Sequence, residues 1–359
     1  MRMKTATAML RAPLLAFLLA AAPAPALALD LSREDVGAFA AEMRKKHGFE
    51  AEWLDAVLAD AASQPRIIEL MTKPAESVMP WHAYRDHFLT TERIDAGAAF
   101  WGLHREDIDR ISRSSGVAPH IIVGIIGCET FFGRITGKFR VVDALSTLAF
   151  DYPPRSSYFR AELEQFLLLA REEGFDTRAV LGSYAGAMGN GQFMPRSYRT
   201  WAVDGDGDGK RDLWGSWPDV IASVANYLAD HGWRAGEPVV APASLWFPKA
   251  AALAPGKLAP DTTVKALRDR GLAFETALGA KAPALFIKVD GDGGPELRAG
   301  FHNFGVVTRY NRSTLYALAV NDLGRRIESR LPPAGPAAPA TPVTPAAPAA
   351  TAAPAVQTP

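Results

Sequence analysis

The chain contains a single cysteine, Cys128, so no internal disulfide can staple it and its stability must come from a packed core. Neither sign of charge is in excess, with 39 basic and 39 acidic side chains. That balance gives no electrostatic reason to hold nucleic acid or an anionic membrane surface. The seven histidines are scattered without metal-ligand spacing and offer no zinc site. Long apolar runs are missing too: the stretch Leu14 to Ala22 is much shorter than the about 20 residues of a spanning helix, so no membrane anchor is expected. No internal repeat is visible.

What is present begins with a secretory pattern. Arg2, Lys4 and Arg11 precede that apolar stretch, and Ala26-Leu27-Ala28 offers a small-x-small cleavage site, which makes residues 1–28 a signal peptide and the mature chain a soluble, exported one. No cysteine follows the apolar run to carry a lipid. Removing the leader leaves 36 basic against 39 acidic side chains, a net charge of about −3. At the other end, Pro332 to Pro359 is almost wholly Ala, Pro and Thr and carries no charge, a composition that cannot bury enough apolar surface to order itself. Residues 331–359 are therefore expected to be a tail, and residues 29–330 a single catalytic or binding domain.

Within that domain helical periodicity dominates from Asp35 to His231. Ala161 to Glu173 puts Leu163, Phe166, Leu167 and Ala170 on one face and stops at Gly174, while Pro218 to His231 repeats the pattern ahead of Gly232. Residues 233–301 change texture: prolines are frequent, Leu285 to Val289 reads as a strand, and Asp290 to Gly294 as a hairpin turn. A last helix is expected over about Ser313 to Leu323, ending at Gly324.

Three segments could carry chemistry. Ile121 to Cys128 is a nearly unbroken apolar run that delivers Glu129, followed by Thr130, two phenylalanines, Gly133 and Arg134. A carboxyl group at the end of a buried helix loses solvation, which favours its neutral form and suits a general acid. A helix-end glutamate paired with Arg134 is the structural alternative. Asp204, Asp206, Asp208 and Asp212 stand at positions 1, 3, 5 and 9 of a calcium loop, with glycine at position 6 and Lys210 at position 7, where only the carbonyl is used. Position 12 is Gly215, so Asp219 is the candidate closing ligand. An ordinary Asp/Gly turn is the alternative. Gly182 to Pro195 is a run of small residues in which Ser183 and Gln192 can donate hydrogen bonds to hydroxyl or acetamido groups. It lacks both the phosphate-loop spacing and a nucleophile elbow. Tyr84, Trp81, Trp101, Tyr310 and Tyr316 could stack on sugar faces or fill a core.

These segments together resemble the lytic murein transglycosylase B family, glycoside hydrolase family 103. The matching residues are Glu129-Thr130-x-x-Gly133-Arg134, Asp143-Ala144-Leu145-x-Thr147-Leu148-x-Phe150, Gly186-Ala187-Met188-Gly189-x-x-Gln192-Phe193-Met194-Pro195, Ser223 to Leu228, Asn303-Phe304 and Thr308 to Asn311. The resemblance implies a mainly α (α+β) fold with a lysozyme-like helical core, a structural calcium loop, an N-terminal helical region and a small β-containing insertion. It implies Glu129 as the catalytic acid, with Tyr84, Arg155, Ser183, Gln192, Met194, Tyr310, Asn311 and Tyr316 along the saccharide cleft. Calcium would lie among Asp204, Asp206, Asp208, Lys210, Asp212 and Asp219. The implied partner is peptidoglycan in the periplasm, cut by a monomer without an organic cofactor, alone or beside other cell-wall enzymes. One carboxylate in place of the usual pair points to intramolecular transfer. A hydrolytic lysozyme and a non-catalytic, calcium-stiffened scaffold remain the alternatives. Departures from the family pattern at Pro154, Gly305 and Arg312 bear on saccharide contacts, and Cys128 reads as a small buried hydrophobe.

Overall fold

The apolar spacing of the N-terminal two thirds is satisfied by helices packed on one another in the computed structural model, which describes residues 27–72, 79–246, 255–256 and 258–332. The expected leader lies outside the described residues apart from Leu27 and Ala28, and the expected tail apart from Leu331 and Pro332. Leu27–Ala28 forms a short strand, β1, paired with β2 (Ala62–Ser63), so the expected cleavage point falls at the end of a hydrogen-bonded pair.

Helices α1 (Glu34–His47), α2 (Ala51–Asp60), α3 (Pro65–Thr72), α4 (Trp81–Phe88), α5 (Thr91–Leu103) and α6 (Arg105–Ser115) lead to α7 (Pro119–Thr130). A proline at its first position opens α7, where a missing N–H costs nothing. Every residue from His120 to Gly127 is buried, the mark of a helix surrounded by others. Strand β3 (Phe139–Arg140), α8 (Val141–Phe150), α9 (Ser156–Glu173), β4 (Leu181–Gly182), α10 (Pro195–Trp201) and α11 (Trp217–Asp230) complete this part. Helix α9 starts five residues before the expected Ala161 and ends where expected: Gly174 is left-handed (φ 70) and its N–H donates to the Ala170 carbonyl.

The expected insertion is a five-stranded antiparallel sheet of β5 (Val240–Leu245), β6 (Thr262–Thr263), β7 (Leu272–Phe274), β8 (Pro283–Gly291) and β9 (Gly294–Phe301), in the order β6-β8-β9-β5-β7. Its one helix, α12 (Val264–Asp269), packs beside β7 and β8. Alternation along β8 explains why both faces are apolar: Leu285, Ile287 and Val289 join the main core, while Ala284 and Phe286 join a smaller cluster with Val264 and Leu267. The Asp290–Gly294 turn is borne out, Gly291 pairing with Gly294 across a two-residue loop. Arg85 on α4 clasps this hairpin, pairing with Asp292 at 2.5 Å and Glu296 at 3.3 Å, and Trp81 Nε1 donates to Glu296 at 3.0 Å.

The chain returns to the helical part through α13 (His302–Tyr310) and α14 (Thr314–Glu328). Here the expected stop at Gly324 is overturned, since α14 runs four residues past it. The glycine serves packing instead: a Cβ there would fall 1.9 Å from the His120 carbonyl oxygen of α7, and one on Gly124 would fall 2.3 Å from the Val320 carbonyl oxygen of α14. Two backbones approach this closely only where side chains are absent. The result is a rigid α7–α14 pair that sets the distance between the end of α7 and the start of α14.

Candidate active site

Glu129 stands half-buried in the last turn of α7, and directly after it the backbone turns sharply. Phe131, Phe132 and Gly133 are all left-handed, with φ of 51°, 57° and 82°. For the two phenylalanines this conformation costs about 1–3 kcal/mol each, so surrounding contacts must over-determine it. They do. Thr130, fully buried, accepts the Gly133 N–H at 3.1 Å and donates to the Asn190 carbonyl at 3.0 Å. Phe132 stacks on Phe100 with centroids 5.2 Å apart. The guanidinium groups of Arg93 and Arg134 each lie 4.7 Å from the centre of the Phe131 ring. Arg134 also pairs with Glu92 at 3.1 Å, so the guanidinium that the sequence offered to Glu129 is engaged there.

Tyr316, in the first turn of α14, donates its hydroxyl to Glu129 Oε1 at 2.6 Å. Burial first, and then the nearby Glu129 charge, push the Tyr316 hydroxyl well above its ordinary pKa, so it stays protonated and remains a donor. Tyr310, the last residue of α13, is raised by the same two causes in the same order. Its hydroxyl donates to the Gly191 carbonyl at 2.6 Å, and its ring sits 4.9 Å from Tyr227 and 5.8 Å from Phe193.

The small-residue run forms a folded loop tied to this corner. Met188 bridges both Gly182 and Phe193, and Asn190 donates its side-chain amide to the Trp214 carbonyl at 2.9 Å. Gln192 is left-handed (φ 50), and its amide donates to the carbonyls of Thr136 at 3.1 Å and Gly189 at 2.9 Å. Ser183 Oγ accepts the amides of Ala185 at 3.2 Å and Ala187 at 3.1 Å. The expectation that Gln192 donates to a ligand is therefore corrected: both amide hydrogens hold the loop, leaving its carbonyl oxygen. Ser183 keeps its one hydrogen as a donor.

The other expected cleft residues are placed as follows. Tyr84 is buried on α4 with its ring 5.0 Å from Phe88, and Met194 is half-buried as the residue preceding α10. Asn311 is exposed just after α13, and Arg155 is exposed with its guanidinium over the rings of Tyr158 and Phe159. Direct contacts join Tyr316 to Glu129, and Tyr310 and Thr130 to the 182–193 loop, while Arg155 packs against the start of α9. Sequence reasoning passed over Arg93, a charged residue at a buried position, and Asn190, hidden in a glycine-rich run.

The acidic loop lies between α10 and α11. Carboxylate oxygens of Asp204, Asp206 and Asp219 converge within 4.8 Å of one another. Asp219 is buried and orders the loop, accepting the N–H of Gly205 and of Asp212, both at 2.7 Å. Asp208 accepts the Lys210 N–H and Asp212 those of Trp214 and Gly215, and neither is among the three convergent carboxylates. Of the expected ligands three carboxylates thus converge, and the Lys210 side chain is exposed. Three converging carboxylates are a donor set suited to a hard divalent cation such as calcium.

A family model described as a transglycosylase SLT domain matches residues 32–325. The chain is 41% identical over 298 residues to the membrane-bound lytic murein transglycosylase B of Escherichia coli K12, covering 80% of this chain and 81% of that one. The structure of the soluble lytic transglycosylase SltB1 from Pseudomonas aeruginosa is 45% identical, with a TM-score of 0.78 over 81% of this chain and 97% of that one. That of the Escherichia coli lytic transglycosylase Slt35 in complex with calcium is 39% identical, with a TM-score of 0.77 over 85% and 96%. The chain belongs to the SLT-type lytic transglycosylases and shares their fold.

Proposed function

We propose that this protein cleaves the β-1,4 bond between N-acetylmuramic acid and N-acetylglucosamine in peptidoglycan and leaves 1,6-anhydromuramic ends. The observation that carries this reading is Glu129, half-buried at the end of an apolar helix, with one carboxyl oxygen held by the Tyr316 hydroxyl at 2.6 Å. Glu129 gives its proton to the glycosidic oxygen as the bond to muramic C1 breaks, and the glucosamine leaves with a free 4-hydroxyl. The carboxylate then takes the proton of the muramic 6-hydroxyl while that oxygen bonds to C1. The proton count closes and no water is consumed. The substrate's own acetamido group supplies the stabilisation that a second carboxylate gives in most glycosidases.

Tyr310, Ser183, the Gln192 carbonyl and Tyr84 would line the sugar path, with Met194, Asn311 and Arg155 as outer contacts. Calcium bound at Asp204, Asp206 and Asp219 would stiffen the link between α10 and α11. The basic, apolar leader supports export to the cell envelope, and the absence of a cysteine after it supports a periplasmic form without a lipid. Mass spectrometry of muropeptides released from purified sacculi tests the reaction. The anhydro product is lighter than the hydrolytic one by one water, and a digest holding only reducing ends would overturn the proposal in favour of a lysozyme.

A further inference from the structure

Arg93 lies in the first turn of α5 and is only 7% exposed, a position that arginine seldom occupies. Its Nη1 donates to the His87 carbonyl at 3.2 Å, and its Nε is buried with no hydrogen-bond partner. The guanidinium carbon sits 5.0 Å from the ring centre of Phe88 and 4.7 Å from that of Phe131. Each ring leads to the candidate site: Phe88 lies 5.0 Å from Tyr84, and Phe131 is the left-handed residue two positions after Glu129. A planar, permanently charged guanidinium can lie on two aromatic faces at once. A lysine ammonium, compact and strongly hydrated, cannot.

Resting on the proposed role of Glu129, we infer that Arg93 is a positioning residue. Wedged between Phe88 and Phe131, it holds the left-handed corner that fixes where α7 stops, and hence where the Glu129 carboxyl points. A cation that only filled volume could be replaced by an unbranched apolar side chain. One that holds a strained corner cannot.

The test is Arg93→Met, which keeps an unbranched apolar stem and loses the planar charged head, beside Arg93→Lys. Amide hydrogen exchange is followed by NMR at Phe131, Gly133, Arg134 and Ile135, whose N–H groups donate to Gly127 O, Thr130 Oγ1, Phe131 O and Thr130 O. In Arg93→Met, exchange at these four sites should rise about tenfold while Ile122 to Ile126 are unchanged, with Arg93→Lys between. Unchanged exchange at the corner, or an equal rise along the whole of α7, would overturn the inference. On sacculi, kcat should fall about tenfold with KM within about twofold, and Phe131→Leu should add little further loss in the Arg93→Met background. Full kcat in Arg93→Met would also overturn it. A wild-type protein that releases no muropeptides would instead sink the reading of Glu129, while the exchange data still decide whether Arg93 holds the corner.

Discussion

The protein carries acids in two contrasting settings. At the end of α7 a single carboxyl group meets aromatic rings, a tyrosine hydroxyl and a strained backbone. In the loop before α11 three carboxylates converge beside exposed glycines and are met by backbone N–H groups. The isolated acid is held by packing, so its environment can favour proton transfer. The clustered acids repel one another, and only hydrogen bonds and a cation can hold them together. On the proposed reading, the same residue chemistry serves reaction in one place and architecture in the other.

The strongest way to break this comparison is Glu129→Gln. The release of muropeptides should fall by about 10³-fold, with the melting temperature nearly unchanged. Digestion of sacculi at the wild-type rate would show that the isolated acid is not the reactive one. Next comes Gly324→Val. Its side chain meets the His120 carbonyl, so the variant should lose about 3 kcal/mol in urea unfolding, and equal stability would mean that α7 and α14 can part without cost.

The acidic loop is probed by Asp219→Ala, which removes the acceptor of two backbone N–H groups at a buried site and should cost about 2 kcal/mol. Calcium added to chelated wild-type protein should raise the melting temperature, and this variant should lose that rise. A full calcium response in Asp219→Ala would place the cation elsewhere. The smallest effect is expected from Tyr316→Phe, which leaves Oε1 without its donor and should lower the rate about tenfold, or about 1.4 kcal/mol, with the product unchanged.

Much of the architecture was legible along the chain. Ile121 to Cys128 announces a buried helix because no face of it is polar, and Gly174 marks a helix end because its left-handed backbone suits glycine. The alternating aspartates indicate a loop built around like charges. Gly324 shows where such reading fails. Glycine past an apolar run signals either a helix stop or a close helix contact, and only the neighbouring His120 carbonyl distinguishes the two. Which aspartates converge is likewise a matter of folding: Asp219, beyond the alternating run, meets Asp204 and Asp206.

The sequence by itself determined the helices, the strand-bearing insertion, the glutamate at the end of an apolar run and the grouping of aspartates, because each depends on local periodicity or spacing. Tertiary structure alone decided which groups meet Glu129. Tyr316 reaches it across 187 positions of sequence because glycines let α7 and α14 nearly touch, and Arg93 lies buried against Phe131 because α5 folds back on the end of α7. Such contacts follow from how closely separate helices pack, a quantity that no local pattern encodes.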